Sequence, residues 1–264
     1  MELLTIPFSH YNERARWAMQ HHGIVAHERR YLPMVHMRPV RAVVPPEQRV
    51  ADKTGSGLAT PVLVLDDGTV LNDSSSIVRW ADETHGTEER TLYPAPHRDE
   101  IVAFEQTLHD DVGRDTRFLA YWFLLHDGPA FAELVRHNVV LWQRALFAVG
   151  APAAKAGMRK RFKLTQPRYE KVRARIEAAV AELSETLGDR EYFFGDRFTA
   201  ADLTSATMLA PALLPLPGYG AHIPALNEEF QALRDGLAAT AVGRHTQRMF
   251  ERHRGETPSG WTLG

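Results

Sequence analysis

The chain has 264 residues, 44% of them hydrophobic and 24% charged, which is enough for one large or two small globular domains with a sizeable core. A formal net charge of −2 argues against a general polyanion binder, so nucleic acid is not an expected partner, and no eighteen-residue apolar run is present to span a membrane. The absence of cysteine excludes disulfides, thiolate metal sites and a cysteine nucleophile, so a thiol used in chemistry would have to arrive with a ligand.

Met1 to Trp17 lacks a basic stretch followed by an apolar one, so no secretory signal is read and a cytoplasmic location is expected. Glu2–Ile6 reads as a strand and Pro7–Asn12 as a turn. Glu13–His21 reads as a helix, with Ala15, Ala18 and Met19 on its apolar side and Gly23 as its stop. Ala26–Leu32 is a second strand, which closes a right-handed βαβ unit. Between Pro33 and Ala59, Pro39, Pro45 and Pro46 break helical runs, and Thr54-Gly55-Ser56-Gly57 reads as a loop.

Thr60 to Trp80 carries the densest local signals. Pro61 stands at the mouth of an apolar strand, Val62–Leu65, Asp66-Asp67-Gly68 makes a tight turn, and Thr69–Leu71 returns as the hairpin partner. Asp73 or Asn72 then caps a helix whose buried face is Ile77, Trp80 and Ala81.

Gly86–Pro96 reads as a linker, and beyond it the strand pattern gives way to helices. Ile101, Phe104, Leu108, Val112, Leu119 and Trp122 keep helical spacing up to Asp127-Gly128-Pro129. Phe131, Leu134, Val135 and Trp142 mark a second helix that turns back at Gly150-Ala151-Pro152. Tyr169, Val172, Ile176, Val180, Leu183 and Leu187 mark a third, stopped by Gly188. The basic run Lys155 to Lys163 reads as a solvated face. Thr199 stands three residues before Asp202, the spacing of a capping box, and opens a buried helix through Leu203, Ala206, Met208 and Leu209. Met34-Val35-His36-Met37, with His21, His22 and His27, offers soft ligands without matching spacing, and no metal is expected.

The order βαβ–ββα then all-helical, with Thr60-Pro61, Asp73-Ser74 and the Thr199–Asp202 box in sequence, resembles the glutathione transferase superfamily. The resemblance implies a thioredoxin-like α/β domain over residues 1–85 and an all-α domain over 97–264. It implies glutathione as co-substrate. The Thr60 backbone before a cis Pro61 would meet its cysteinyl unit, and Asp73 with Ser74 would hold its γ-glutamyl end. Gln48, Arg49 and Lys53 are the nearest counterparts of the family's glycine-end contacts. Ser9 aligns with the catalytic serine of the serine-type classes, while no tyrosine stands near Thr5 to Pro7, where the tyrosine-type classes have theirs.

His10, Tyr11, His109, Arg114, Tyr121 and Trp122 are candidates for the electrophile pocket, beside Asp110 and Phe118. Arg14 and Arg16 read as surface or interdomain salt-bridge partners and not as catalysts. Two functions fit. One is an enzyme, of the serine type by the resemblance, that adds glutathione or a related thiol to a small electrophile; relatives of this fold also run glutathione-dependent isomerisation, dehalogenation and ether cleavage, which share the thiolate step. The other is a non-catalytic binding or interaction module of the same fold. The family also implies a homodimer.

Overall fold

The computed structural model describes residues 1–49, 57–126 and 128–264. Its sheet is built around β1 (Glu2–Thr5), which pairs in parallel with β2 (His27–Arg30) and antiparallel with β3 (Val62–Val64); β3 pairs antiparallel with β4 (Val70–Asn72). Leu3, Leu4, Val62 and Leu63 are fully buried because both sheet faces are covered. On one face lie α1 (His10–His21) and α3 (Ser74–His85), which close Ala15, Met19, Ile77 and Ala81 over Leu3 and Leu63. On the other lies α2 (Met37–Val43), with Val40 and Val44 against Leu4 and Val62. Sequence reading broke this helix at Pro39. The proline sits in its first turn, where the missing N–H has no intrahelical partner in any case. A two-residue β5 (Thr262–Leu263) adds a parallel edge to β2, and was not expected.

The helical half follows. α4 (Arg98–Thr107) passes through a single π-helical turn, Leu108–Val112, into α5 (Gly113–His126). The second expected helix is two. α6 (Ala130–Asn138) ends where Val139 and Val140 are extended, and α7 (Leu141–Phe162) then runs straight through Gly150-Ala151-Pro152. Pro152 is exposed, so the carbonyl that it deprives of a partner can be hydrated, and the helix continues. α8 (Gln166–Leu187) stops at Gly188, whose φ of +56° favours glycine. α9 (Ala200–Leu213) is buried along its whole length and begins with the expected capping box, in which the Thr199 N–H donates to the Asp202 carboxylate at 2.9 Å. α10 (Glu228–Ala238) and α11 (Ala241–His253) complete the chain's helices. Asp127 and Lys53, and with Lys53 most of the Thr54–Gly57 stretch, lie outside the described residues. Among the described residues no helix is long and apolar enough to cross a membrane.

Two buried ionic networks join the halves under α1. Glu13 accepts from Arg254 Nε at 2.6 Å, from Arg16 and from the Gly220 N–H at 3.1 Å, while Arg16 reaches on to Glu28 at 2.9 Å. Arg14 pairs with Glu105, whose carboxylate also accepts from Tyr93 and Thr204 hydroxyls at 2.8 Å each. Arg14 is therefore an interdomain partner, while Arg16 pairs within the N-terminal half and reaches the helical half only through Glu13. Buried ions are costly unless paired, so the networks fix how α1 seats against the helical half.

Candidate functional site

The β1–α1 turn carries the first site residue. The Ser9 N–H donates to the Ile6 carbonyl at 3.0 Å, and the Arg16 guanidinium donates to the Pro7 carbonyl at 2.6 Å, so the turn is pinned from below. Ser9 occupies the N-cap position of α1 in an extended conformation, which is why the helix starts at His10 and not at Glu13. Its side chain makes no capping bond. The hydroxyl stays available, half-buried, in the wall of a cavity of about 380 Å³.

Thr60 lines the same cavity, and the peptide bond from Thr60 to Pro61 is cis. Asn12 donates to the Thr60 hydroxyl at 3.2 Å. Among the described residues no group of the protein hydrogen-bonds the Thr60 backbone. A neighbouring polar corner is made by the start of α3. Asp73 caps the helix, one oxygen accepting from the Ser75 and Ser76 amides at 2.6 and 3.0 Å, and its other oxygen has no partner among the described residues. Beside it the Ser74 hydroxyl is buried without a hydrogen bond. Arg14 donates to Ser75 at 2.9 Å and reaches His109 at 3.3 Å. A carboxylate oxygen and a hydroxyl without partners among the described residues, with a backbone pair that no group there bonds, fit the ammonium, carboxylate and amide functions of a peptide-like thiol.

The expected pocket residues divide. His10, Tyr11 and Tyr121 line the cavity with Ser9 and Thr60. His109 lies behind Tyr11, its carbonyl accepting from the Tyr11 hydroxyl at 3.0 Å. Arg114 faces a second cleft and pairs with Asp111 at 3.3 Å. Trp122 lies in the helical core, stacked on Tyr169 with ring centroids 4.6 Å apart. Asp110 and Phe118 also stand off the cavity wall, and neither Gln48 nor Arg49 lines it.

Sequence reading missed the far wall altogether. Met158, Arg161 and Phe162 come from the end of α7, with Tyr121 stacked on Phe162 at 4.2 Å. Arg117 and Leu124 come from α5, Leu226 from the approach to α10 and Phe230 from its first turn. Gln143 anchors α7 by standing in for a strand neighbour of β2, accepting from the Leu32 N–H at 2.8 Å and donating to the Arg30 carbonyl at 2.7 Å.

Electrostatically the cavity favours an anion. Its described walls carry Arg117 and Arg161 and no carboxylate. Burial, helped by Arg117, pushes the His10 imidazole down to about 3, so the ring is neutral at pH 7 and donates through Nε2 to the Gly113 carbonyl at 2.9 Å. Burial and then Arg14 push His109 down to about 4. Burial raises the Tyr11 phenol above its ordinary value, so it stays protonated. Gly113 is where α1 meets α5: a Cβ there would stand 2.5 Å from Met208 sulfur and 2.7 Å from the Tyr11 hydroxyl.

The sequence matches the glutathione S-transferase N-terminal domain over residues 8–84 and the glutathione S-transferase C-terminal domain over residues 166–239. A glutathione S-transferase from Methylobacillus flagellatus, crystallised with GSH bound, is similar over 96% of both chains at 22% identity, with a TM-score of 0.56. One from Ceriporiopsis subvermispora, in complex with glutathione, is similar over 97% of this chain and 98% of that one at 16% identity, with a TM-score of 0.62. One from Methylobacterium radiotolerans, in complex with glutathione sulfonate, covers 93% of each chain at 21% identity and a TM-score of 0.51. No curated protein matches the sequence.

Proposed function

The chain belongs to the glutathione S-transferase superfamily, and from that premise we propose that it is a serine-type glutathione transferase, adding glutathione to a small electrophile. Asp73 and Ser74 hold the γ-glutamyl end, the Thr60 backbone pairs with the cysteinyl unit, and Ser9 donates to the sulfur. The observation that carries the reading is the Ser9 hydroxyl, uncommitted to its helix and set in the wall of the cavity that Thr60 also lines.

The chemical task is a pKa shift. A free thiol near pKa 8.5 is only about 3% ionised at pH 7, and lowering it by about two units takes about 2.7 kcal/mol. One hydroxyl donor to an anion contributes about 1.5–3 kcal/mol, and the positive end of α1 adds about 0.3–1 kcal/mol. Together they reach the required magnitude. The thiolate then attacks the electrophile held among Tyr121, Phe162 and Met158. Ser9 never becomes a nucleophile and needs no base, because it only donates a hydrogen bond to the sulfur.

A homodimer and a cytoplasmic place of action go with this reading, the latter because a cysteine-free glutathione-dependent enzyme suits a glutathione-poised compartment. Calorimetric titration with glutathione tests it. Saturable binding is expected, weakened about tenfold or more by Ser74→Ala, since a hydrogen bond to a charged group is lost. A wild type that binds no glutathione would overturn the transferase and favour a non-catalytic binding module.

A further inference from the structure

A second cleft, of about 740 Å³, adjoins the cavity. Arg117, Arg161 and Phe162 line both. The cleft lies between α5, the end of α7 and the first turns of α8, and its described wall carries Asp115 as the one acid. That acid is already neutralised by Arg175, which grips it through two bonds of 2.6 and 2.7 Å. Arg114 is paired with Asp111. Among the described residues Arg117, Arg161, Lys163, Arg168 and Lys171 make no ion pair.

Five unpaired cations around one cleft are unusual for a chain whose net charge is −2. Like charges so placed repel one another, and an anion relieves that repulsion. Two of the five are held by aromatic faces in place of acids. Arg168 lies 5.0 Å from the Phe118 ring centroid, and Arg117 lies 5.7 Å from that of Tyr11 and 6.0 Å from that of Phe162. Arg117 thus stands at the passage from the Ser9–Tyr11 cavity to the basic cleft. The cavity itself is walled by apolar groups such as Leu124, Leu134, Met158 and Phe230. The run Lys155–Lys163, which reads in sequence as a solvated face, contributes Arg161 and Lys163 to this cleft.

We propose that the electrophile taken by this site is a carboxylate-bearing amphiphile: its apolar body and reactive carbon fill the cavity, and its carboxylate lies in the basic cleft. The inference rests on the transferase reading for the reaction and on the two adjoining cavities for the ligand class. For an enone of this kind the thiolate sulfur forms a bond to the β-carbon. The π pair moves to the carbonyl oxygen, and the enolate takes a proton at the α-carbon. No group leaves, and no oxidant or reductant is needed.

The test uses enones with a carboxylate at the end of an alkyl chain, and the methyl ester of each. Wild type should favour the carboxylate over its ester about tenfold or more in kcat/KM at low salt, with the preference shrinking at about 0.5 M salt. The double variant Lys163→Glu/Arg168→Glu should collapse that ratio towards one. In parallel, calorimetry compares 4-phenylbutyrate with its neutral amide, a readout that needs no turnover. Equal turnover of carboxylate and ester, or equal binding of phenylbutyrate and amide, overturns the proposal and leaves the transferase intact. Tighter binding of phenylbutyrate by a protein that neither binds glutathione nor turns over any enone sinks the transferase and keeps the ligand class.

Discussion

Glu13→Gln probes the element on which the site is mounted. Glu13 is fully buried, with one oxygen on Arg254 and the other shared by Arg16 and the Gly220 N–H. Glutamine keeps the shape and loses the charge. Its amide would turn two N–H groups towards the donors of Arg16 and Gly220, or towards Arg254 if flipped. Breaking a buried pair from one side costs about 3–5 kcal/mol. Near the lower figure, at about 2–4 °C per kcal/mol for a chain of this size, the melting temperature should fall by roughly 6–12 °C. The pH dependence identifies the cause. Burial alone would raise the Glu13 carboxyl, but Arg254 and Arg16 outweigh it and hold it below its ordinary value of 4.5. A depressed carboxyl stabilises fully above its unfolded pKa and loses that contribution as pH falls through the folded one. The gap between wild type and variant in calorimetric melts should therefore be full at pH 7 and close in acid. A difference under about 1 kcal/mol at pH 7, or one unchanged in acid, would refute the reasoning.

Two further outcomes are expected. His10 and His109, held neutral at about 3 and about 4, take up protons on unfolding once pH falls below 6.5, so their contribution is complete above that pH and lost below it. Urea midpoints should fall between pH 7.5 and pH 5.5, with His10 accounting for up to about 1.4 kcal/mol per pH unit, and a flat profile would contradict the burial. In light scattering at micromolar concentration the mass should be that of a dimer, and a mass near 29.7 kDa would sink the homodimer.

What was legible in the sequence was what short segments encode. Local chemistry marks a strand mouth at Thr60-Pro61 and a helix cap at Asp73, whereas the site roles of Ser9, Thr60 and Asp73 come from the family resemblance; the fold places the first two on one cavity and Asp73 at a helix cap. Of the residues named on the first long helix, Tyr121 alone lines the cavity. The helical spacing from Ile101 to Trp122 marks a buried face, and Ile101, Leu108, Val112, Leu119 and Trp122 are all buried on either side of the π turn at Leu108–Val112. Tyr121 lines the cavity, while Trp122, one residue and about 100° further round α5, packs in the core and Arg114 faces the cleft. The far wall was invisible because Gly150-Ala151-Pro152 carries turn chemistry, yet on an exposed helix that chemistry was overridden. Long-range devices such as Gln143 on β2 and the two residues of β5 leave no periodic trace.

The measurement that bears most directly on the account is the ultraviolet thiolate absorbance of bound glutathione, titrated with pH for wild type and Ser9→Ala. Wild type should show a thiol pKa well below 8.5, and the variant one that is higher by about one to two units, corresponding to the roughly 1.5–3 kcal/mol of a lost hydrogen bond to an anion. Glutathione affinity should stay nearly the same, because Asp73, Ser74 and Thr60 are untouched. Superimposable titration curves for the two proteins would mean that Ser9 only begins a helix, and would contradict the mechanism.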